Sequence, residues 1–238
     1  MKNFLSRLSL ALSFLALSAG QAWAALIVNP AAPITHQIKV QIIQTFNDDG
    51  STPATVFGNA AQRAEIEGYV DTIWAQAGID VLFMPTINSY NNTFARVGTS
   101  DPRPISDLST IVNDAGAPPK SADASVINMF FVENVPGFPA GLSENTAAGL
   151  AFVGGNGITQ YVGDNLLTFT TGREVIASVV SHEIGHNVGL FHITEAENLM
   201  QSGGSPDQGE RLNATQISTA LQSSLVQPQA VPEPGSLA

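Results

Sequence analysis

Cysteine is absent from this chain of 238 residues. Its absence excludes disulfides, thiolate metal sites and a thiol nucleophile, so the fold must rest on its apolar core and on whatever ions it binds. Basic residues are scarce. Nine Lys and Arg stand against 20 Asp and Glu, a formal net charge of −11. Nucleic acid and anionic membrane surfaces are therefore poor partners, while carboxylates are available for a cation such as calcium. No apolar run reaches the roughly 20 residues that a membrane-spanning helix needs, so stable membrane insertion is not expected. Histidine is sparse as well: the chain has four. Three of them fall between positions 182 and 192, and the fourth, His36, lies far away.

Residues 1–24 carry the features of an export leader. Lys2 and Arg7 make a basic start, Leu8 to Ala19 is apolar, and Ala22-Trp23-Ala24 is a small-x-small cleavage site before Ala25. The leader holds two of the basic residues and no acidic one, so the mature chain is more acidic still. The expected location is secreted or at the cell surface. Residues 25–225 are long enough for one domain with a substantial core. Residues 226–238 hold Pro228, Pro232 and Pro234 and are expected to form a disordered tail.

The run from His182 to His192 reads His-Glu-x-x-His-x-x-Gly-x-x-His. Positions i and i+4 of a helix lie one turn apart on the same face, so His182 and His186 can offer ring nitrogens to a single ion. Glu183 is placed beside that ion and is suited to act on metal-bound water rather than to ligate. Gly189 can take a positive φ and stop the helix, after which the chain turns and His192 can reach back. Three imidazoles with one position left open define a catalytic zinc arrangement rather than a closed structural one.

The elements around this motif are read as follows. Ile38 to Phe46 is a strand, Asn59 to Ala77 a helix with Ala64, Ile66, Val70, Ile73 and Trp74 at helical spacing, and Ile79 to Met84 a second strand. Strand, crossover helix and strand in this order imply a parallel, right-handed pair. Residues 85–124 are rich in Asn, Ser, Thr, Asp and Pro, with a helical turn or two near Ser106 to Asn113. They read either as a solvated loop or as a calcium-ordered one, with Asp101, Asp107, Asp114 and Asp123 as ligands. Ser125 to Val132 is a strand buried on both faces, and Ala147 to Val153 is a fourth. Arg173 to Val188 is a buried helix capped by Thr171. Asn213 to Ser223 is a final helix capped by Asn213.

The motif resembles that of the metzincin clan of zinc endopeptidases. Asn198-Leu199-Met200 is similar to the clan's methionine turn, with Met200 eight residues after His192. The resemblance is close over 182–200 and only architectural elsewhere. It implies an α/β (α+β) domain: a twisted, mostly parallel sheet of four to five strands with an antiparallel edge strand, a backing helix, an active-site helix and a C-terminal helix. It further implies that the edge strand, at Leu150, Ala151, Phe152, Val153 and Gly154, pairs with an extended substrate, unless it is merely a protected edge. Met200 would floor the site, and residues 201–205 would wall the pocket for the side chain after the cut. Some family features are missing. No tyrosine follows Tyr161 to assist the transition state, no cysteine exists for a cysteine-switch prodomain, and Ile193 after the third ligand matches no subfamily marker. Val-Pro-Glu-Pro-Gly-Ser-Leu-Ala (231–238) resembles the start of a PEP-CTERM sorting signal, without the apolar helix and basic cluster that follow it; a plain Pro-rich tail is the alternative.

The expected function is therefore a secreted, monomeric zinc endopeptidase acting on protein or peptide substrates, with Glu183 as general base. A non-catalytic zinc-bound surface or matrix protein is the alternative.

Overall fold

The computed structural model describes residues 26–98, 105–113, 119–133, 147–201 and 209–229. The leader, the sorting-like residues 231–238, Asp101, Asp114 and residues 202–205 of the expected pocket wall lie outside them.

The architecture is organised by one long strand, β1 (His36–Phe46). Its alternate residues Ile38, Val40 and Ile42 are fully buried, so the strand is central. Along one side β1 pairs in parallel first with β2 (Ile79–Phe83) and then with β3 (Asn88–Asn91). Along the other it pairs antiparallel with β7 (Val226–Pro228) and then parallel with β4 (Val126–Phe131). Beyond β4 comes β6 (Gly157–Val162), parallel, and then β5 (Ala147–Ala151), antiparallel and at the edge. The result is a mostly parallel, seven-stranded mixed sheet with an antiparallel edge strand.

Helices cover both faces, which is why every residue of β4 is buried. On one face lie α1 (Ala60–Ala75) and α4 (Thr170–Asn187). Trp74, Ile66, Val70 and Ile73 of α1 and Ile176, Ala177, Val180 and Ile184 of α4 join the strand side chains in the main core. Arg173 of α4 ties the two helices together by donating to both carboxylate oxygens of Glu65, at 2.8 and 3.2 Å. On the other face, near α2 (Thr93–Val97) and α3 (Ile105–Asn113), a smaller cluster gathers Ile43, Tyr90, Ala95, Ile111, Phe130 and Ala148. The last helix, α5 (Ala214–Leu221), is capped by Asn213 in a reciprocal capping box with Gln216. No helix among the described residues is long and apolar enough to cross a membrane.

Several expectations change. β6 is additional; its Gly-Ile-Thr-Gln-Tyr-Val sequence has no clean alternation of apolar and polar residues, and all but Tyr161 is buried. β3 lies inside the segment expected as loop; its Asn-Ser-Tyr-Asn sequence has little strand preference, and backbone pairing with β1 supplies what propensity does not. Ala64 points outward rather than into the core. α4 starts earlier than expected, at Thr170, because a 3₁₀ turn (Asp164–Thr168) feeds directly into it. Phe169 is the cap and makes no side-chain capping bond, so Thr171 is not the cap. The domain also does not end at 225. Val226 is buried, Val226–Pro228 is hydrogen-bonded to β1, and Gln229 N–H donates to Thr35 O at 2.9 Å. Pro228 is tolerated because it closes a three-residue strand. The two described calcium candidates are engaged locally. Asp107 is buried in the first turn of α3, and Asp123 accepts from the Ser125 amide and hydroxyl at 2.9 and 2.7 Å.

The docking of β7 is testable. Ending the chain at Ser224 removes Leu225 and Val226 from the core together with the pairing to β1. This should cost about 3 kcal/mol or more and lower the Tm by roughly 6–12 °C in a thermal melt. An unchanged Tm would mean that β7 does not dock.

Candidate metal centre

α4 carries the site on its last turns. Its buried residues fix the helix against the sheet, and His182 and His186 project one turn apart on the same side. The helix stops at Gly189, which has φ +100°, a conformation that costs glycine nothing. In that stop, Gly189 N–H donates to His186 O and Leu190 N–H to Gly185 O, each at 2.9 Å. Leu190 is buried and anchors the turn, and His192 comes back toward the helix. One ring nitrogen from each of His182, His186 and His192 lies within 4.8 Å of the other two. Among the described residues this is the one group of three metal-ligating side chains.

The proton positions follow from the partners. His182 Nδ1 lies 2.6 Å from Leu199 O, and His186 Nδ1 lies 2.9 Å from Leu190 O. A carbonyl oxygen only accepts, so both Nδ1 atoms carry the proton. Burial pushes the His182 imidazole down to about 4 and also lowers that of His186, so both rings are neutral near pH 7. Their Nε2 atoms therefore present lone pairs. Each faces His192 Nε2, at 3.1 Å in both cases. His192 Nε2 can hold one proton at most, so the two contacts cannot both be hydrogen bonds. A cation satisfies all three nitrogens at once. A tetrahedral ion with metal–nitrogen distances of about 2.0–2.1 Å spaces its ligands about 3.3–3.4 Å apart, close to what the protein provides. The carbonyls of Leu190 and Leu199 are the groups that orient such ligands.

Met200 packs against Gly185 of the motif. It is fully buried, and a Cβ placed on Gly185 would come within 2.5 Å of its Sδ. The small residue inside the motif thus lets the methionine turn close up under the helix. That turn is held from the other side. Asn198 Oδ1 accepts the Met200 amide at 2.9 Å, and Asn198 and Gln216 of α5 exchange two side-chain bonds, both 2.9 Å. Sequence reading did not single out Gln216. Its signal was its place as the third residue of a capped helix, which serves α5 and the turn together.

Glu183 is buried, and its carboxylate accepts the Ala151 amide of β5. Oε2 has no hydrogen-bond partner. Burial pushes this carboxyl up to about 8, and the Ala151 amide opposes the shift.

The expected substrate edge is shorter than its sequence suggested. Leu150 and Ala151 are in β5, but Phe152, Val153 and Gly154 turn away from it. Gly154 has φ +73° and donates its N–H to His186 O at 2.9 Å, and Phe152 O accepts from Gly155 N–H and from Asn187 Nδ2. These three residues therefore dock the edge onto the end of α4 instead of extending it. Phe152 and Val153 remain exposed beside the site.

No protein-family model matches the sequence, and comparison with curated protein sequences finds no match. Solved structures do match. Metalloproteinase-II from Bacteroides fragilis superposes with a TM-score of 0.52 over 84% of this chain, at 15% identity. The chain spans 57% of that structure's length. Archaemetzincin from Methanopyrus kandleri superposes with a TM-score of 0.51 over 79% of this chain and 95% of its own, at 14% identity. The chain therefore has a metzincin-like α/β fold.

The burial of Glu183 generates a pH prediction for the metal-free protein. Its folded value, about 8, lies above its ordinary 4.5, so the folded state holds the extra proton between those values. Stability from this group is full below pH 4.5 and is lost as pH rises through 8. Glu183→Gln removes the titration. In chelator, the variant should be more stable than the parent at pH 9, by on the order of 4 kcal/mol, with the gap closing toward pH 4.5. Denaturant melts across that range measure it. A gap that does not change with pH would contradict the burial of this carboxyl.

Proposed function

We propose that the chain is an exported zinc endopeptidase. One observation carries the reading: three imidazole lone pairs converge beside a buried carboxylate that keeps one oxygen free. His182, His186 and His192 would hold the zinc. Glu183 would not ligate, because its carboxylate is tethered to the edge strand. When bound, zinc polarises the scissile carbonyl and brings the pKa of a bound water near neutrality.

The protein's own groups supply the rest. Glu183 takes the proton of the attacking water at its free Oε2 and delivers it to the departing amine nitrogen. Substrate backbone lies in extended form along the outer side of β5 at Leu150 and Ala151. The Ala151 amide is already committed to Glu183, so the edge strand positions substrate and base together. Met200 supports the site from below. The leader at residues 1–24 supports export, and the two superposed structures, a metalloproteinase and an archaemetzincin, agree with the chemistry. A purely structural zinc site, as in a matrix protein, has no use for a buried carboxylate with a free oxygen.

The experiment pairs metal analysis with cleavage of a peptide library. The parent should bind one zinc per chain and cleave peptides internally. Glu183→Gln should keep the zinc and lose about 10²- to 10⁴-fold in kcat. His192→Ala should lose both zinc and activity. A zinc-loaded parent that cleaves no peptide would end this reading and restore the non-catalytic one.

A further inference from the structure

We propose that Gly149 is the positioning residue of Glu183: its missing Cβ opens the seat in which the carboxylate meets the Ala151 amide. The proposal rests on the peptidase reading for its catalytic consequence, but not for its geometry. Glycine in the middle of a strand is unfavourable by roughly 0.5–1 kcal/mol and calls for a reason. Backbone conformation is not the reason, since Gly149 is absent from the described residues with positive φ. Space is. A Cβ at Gly149 would stand 2.4 Å from Glu183 Cγ and 2.9 Å from its Cδ, closer than non-bonded carbons come.

The neighbours cannot give way. Gln160, directly opposite Gly149 in the ladder, would meet the same Cβ at 3.0 Å through Oε1. Its amide is locked by donation from Nε2 to Ala148 O at 3.0 Å and Tyr161 O at 2.9 Å, and it is fully buried. α4 is fixed by its core residues. The Glu183 side chain is what must move, and moving it breaks the bond to Ala151. His182 and His186 are oriented by the carbonyls of Leu199 and Leu190, which lie outside β5, so these two rings stay in place. A single methyl group at position 149 would therefore displace the base and leave these imidazoles untouched.

Two readouts test this. The first needs no activity. In metal-free protein, Gly149→Ala should lower the Tm by about 2–12 °C, the range for overpacking a core site. In a Glu183→Ala background the same substitution should cost much less, because only the 3.0 Å approach to Gln160 Oε1 remains. Equal losses in both backgrounds overturn the proposal. If Gly149→Ala alone does not fold while the double variant does, the steric claim is upheld. The second readout is kinetic. Zinc-loaded Gly149→Ala should keep one zinc per chain and its KM, and lose about 10²-fold or more in kcat. Gly157→Ala is the control: its Cβ would meet Val112 Cγ1 at 2.5 Å, so it should lose stability while keeping kcat below its Tm. A Gly149→Ala enzyme with parental kcat, or a Gly157→Ala enzyme with the same kcat loss, overturns the positioning role. If the parent itself cleaves nothing, the function fails, and the stability cycle still decides whether Gly149 seats Glu183.

Discussion

Two backbone carbonyls decide what this protein can do. Leu199 O and Leu190 O each accept the Nδ1 proton of a histidine, and each thereby turns an Nε2 lone pair toward His192. Without them, His182 and His186 would be neutral rings of either tautomer, free to donate to each other. With them, the protein collects electron pairs that only a cation can satisfy together. Most of the surrounding architecture can be understood as what holds those two carbonyls where they are.

Leu190 O is placed by the end of α4. Gly189 permits the reversal, and buried Leu190 pins it. Leu199 O is placed by the methionine turn, which is wedged between Gly185 above and the Asn198–Gln216 pair at its side. That pair hands the constraint to α5. Behind α5, Leu225 and Val226 enter the core and β7 closes on β1. On the opposite flank, the turn at Phe152–Gly154 fastens the edge strand to His186 O and Asn187, bringing the Ala151 amide to Glu183. Glu183 and two of the three imidazoles therefore share one helix but are aligned by different neighbours. This separation is why a change at the edge strand can disturb one without the other.

Much of this was readable in the sequence because it follows local rules. The spacing of His182, His186 and His192 around Gly189 foretells their convergence, and the apolar periodicity of α1 and α4 foretells their shared packing. The run of β4, apolar except for Asn128, announces burial on both faces. What escaped were features set by tertiary contact. β3 has no sequence preference for a strand and exists because β1 extends past β2. Pro228 suggested a tail, but a short closing strand does not need its missing N–H. Phe152 and Val153 looked like strand until the amide of Gly154 found His186 O. The reason for Gly149 could not be read without knowing which side chain fills the space beside it.

The most direct test of the central claim is X-ray absorption at the zinc edge of the metal-loaded protein. Three imidazole nitrogens at about 2.0–2.1 Å with one oxygen scatterer is the predicted shell. Fewer than three imidazoles, or failure of the folded protein to retain zinc, would contradict the account.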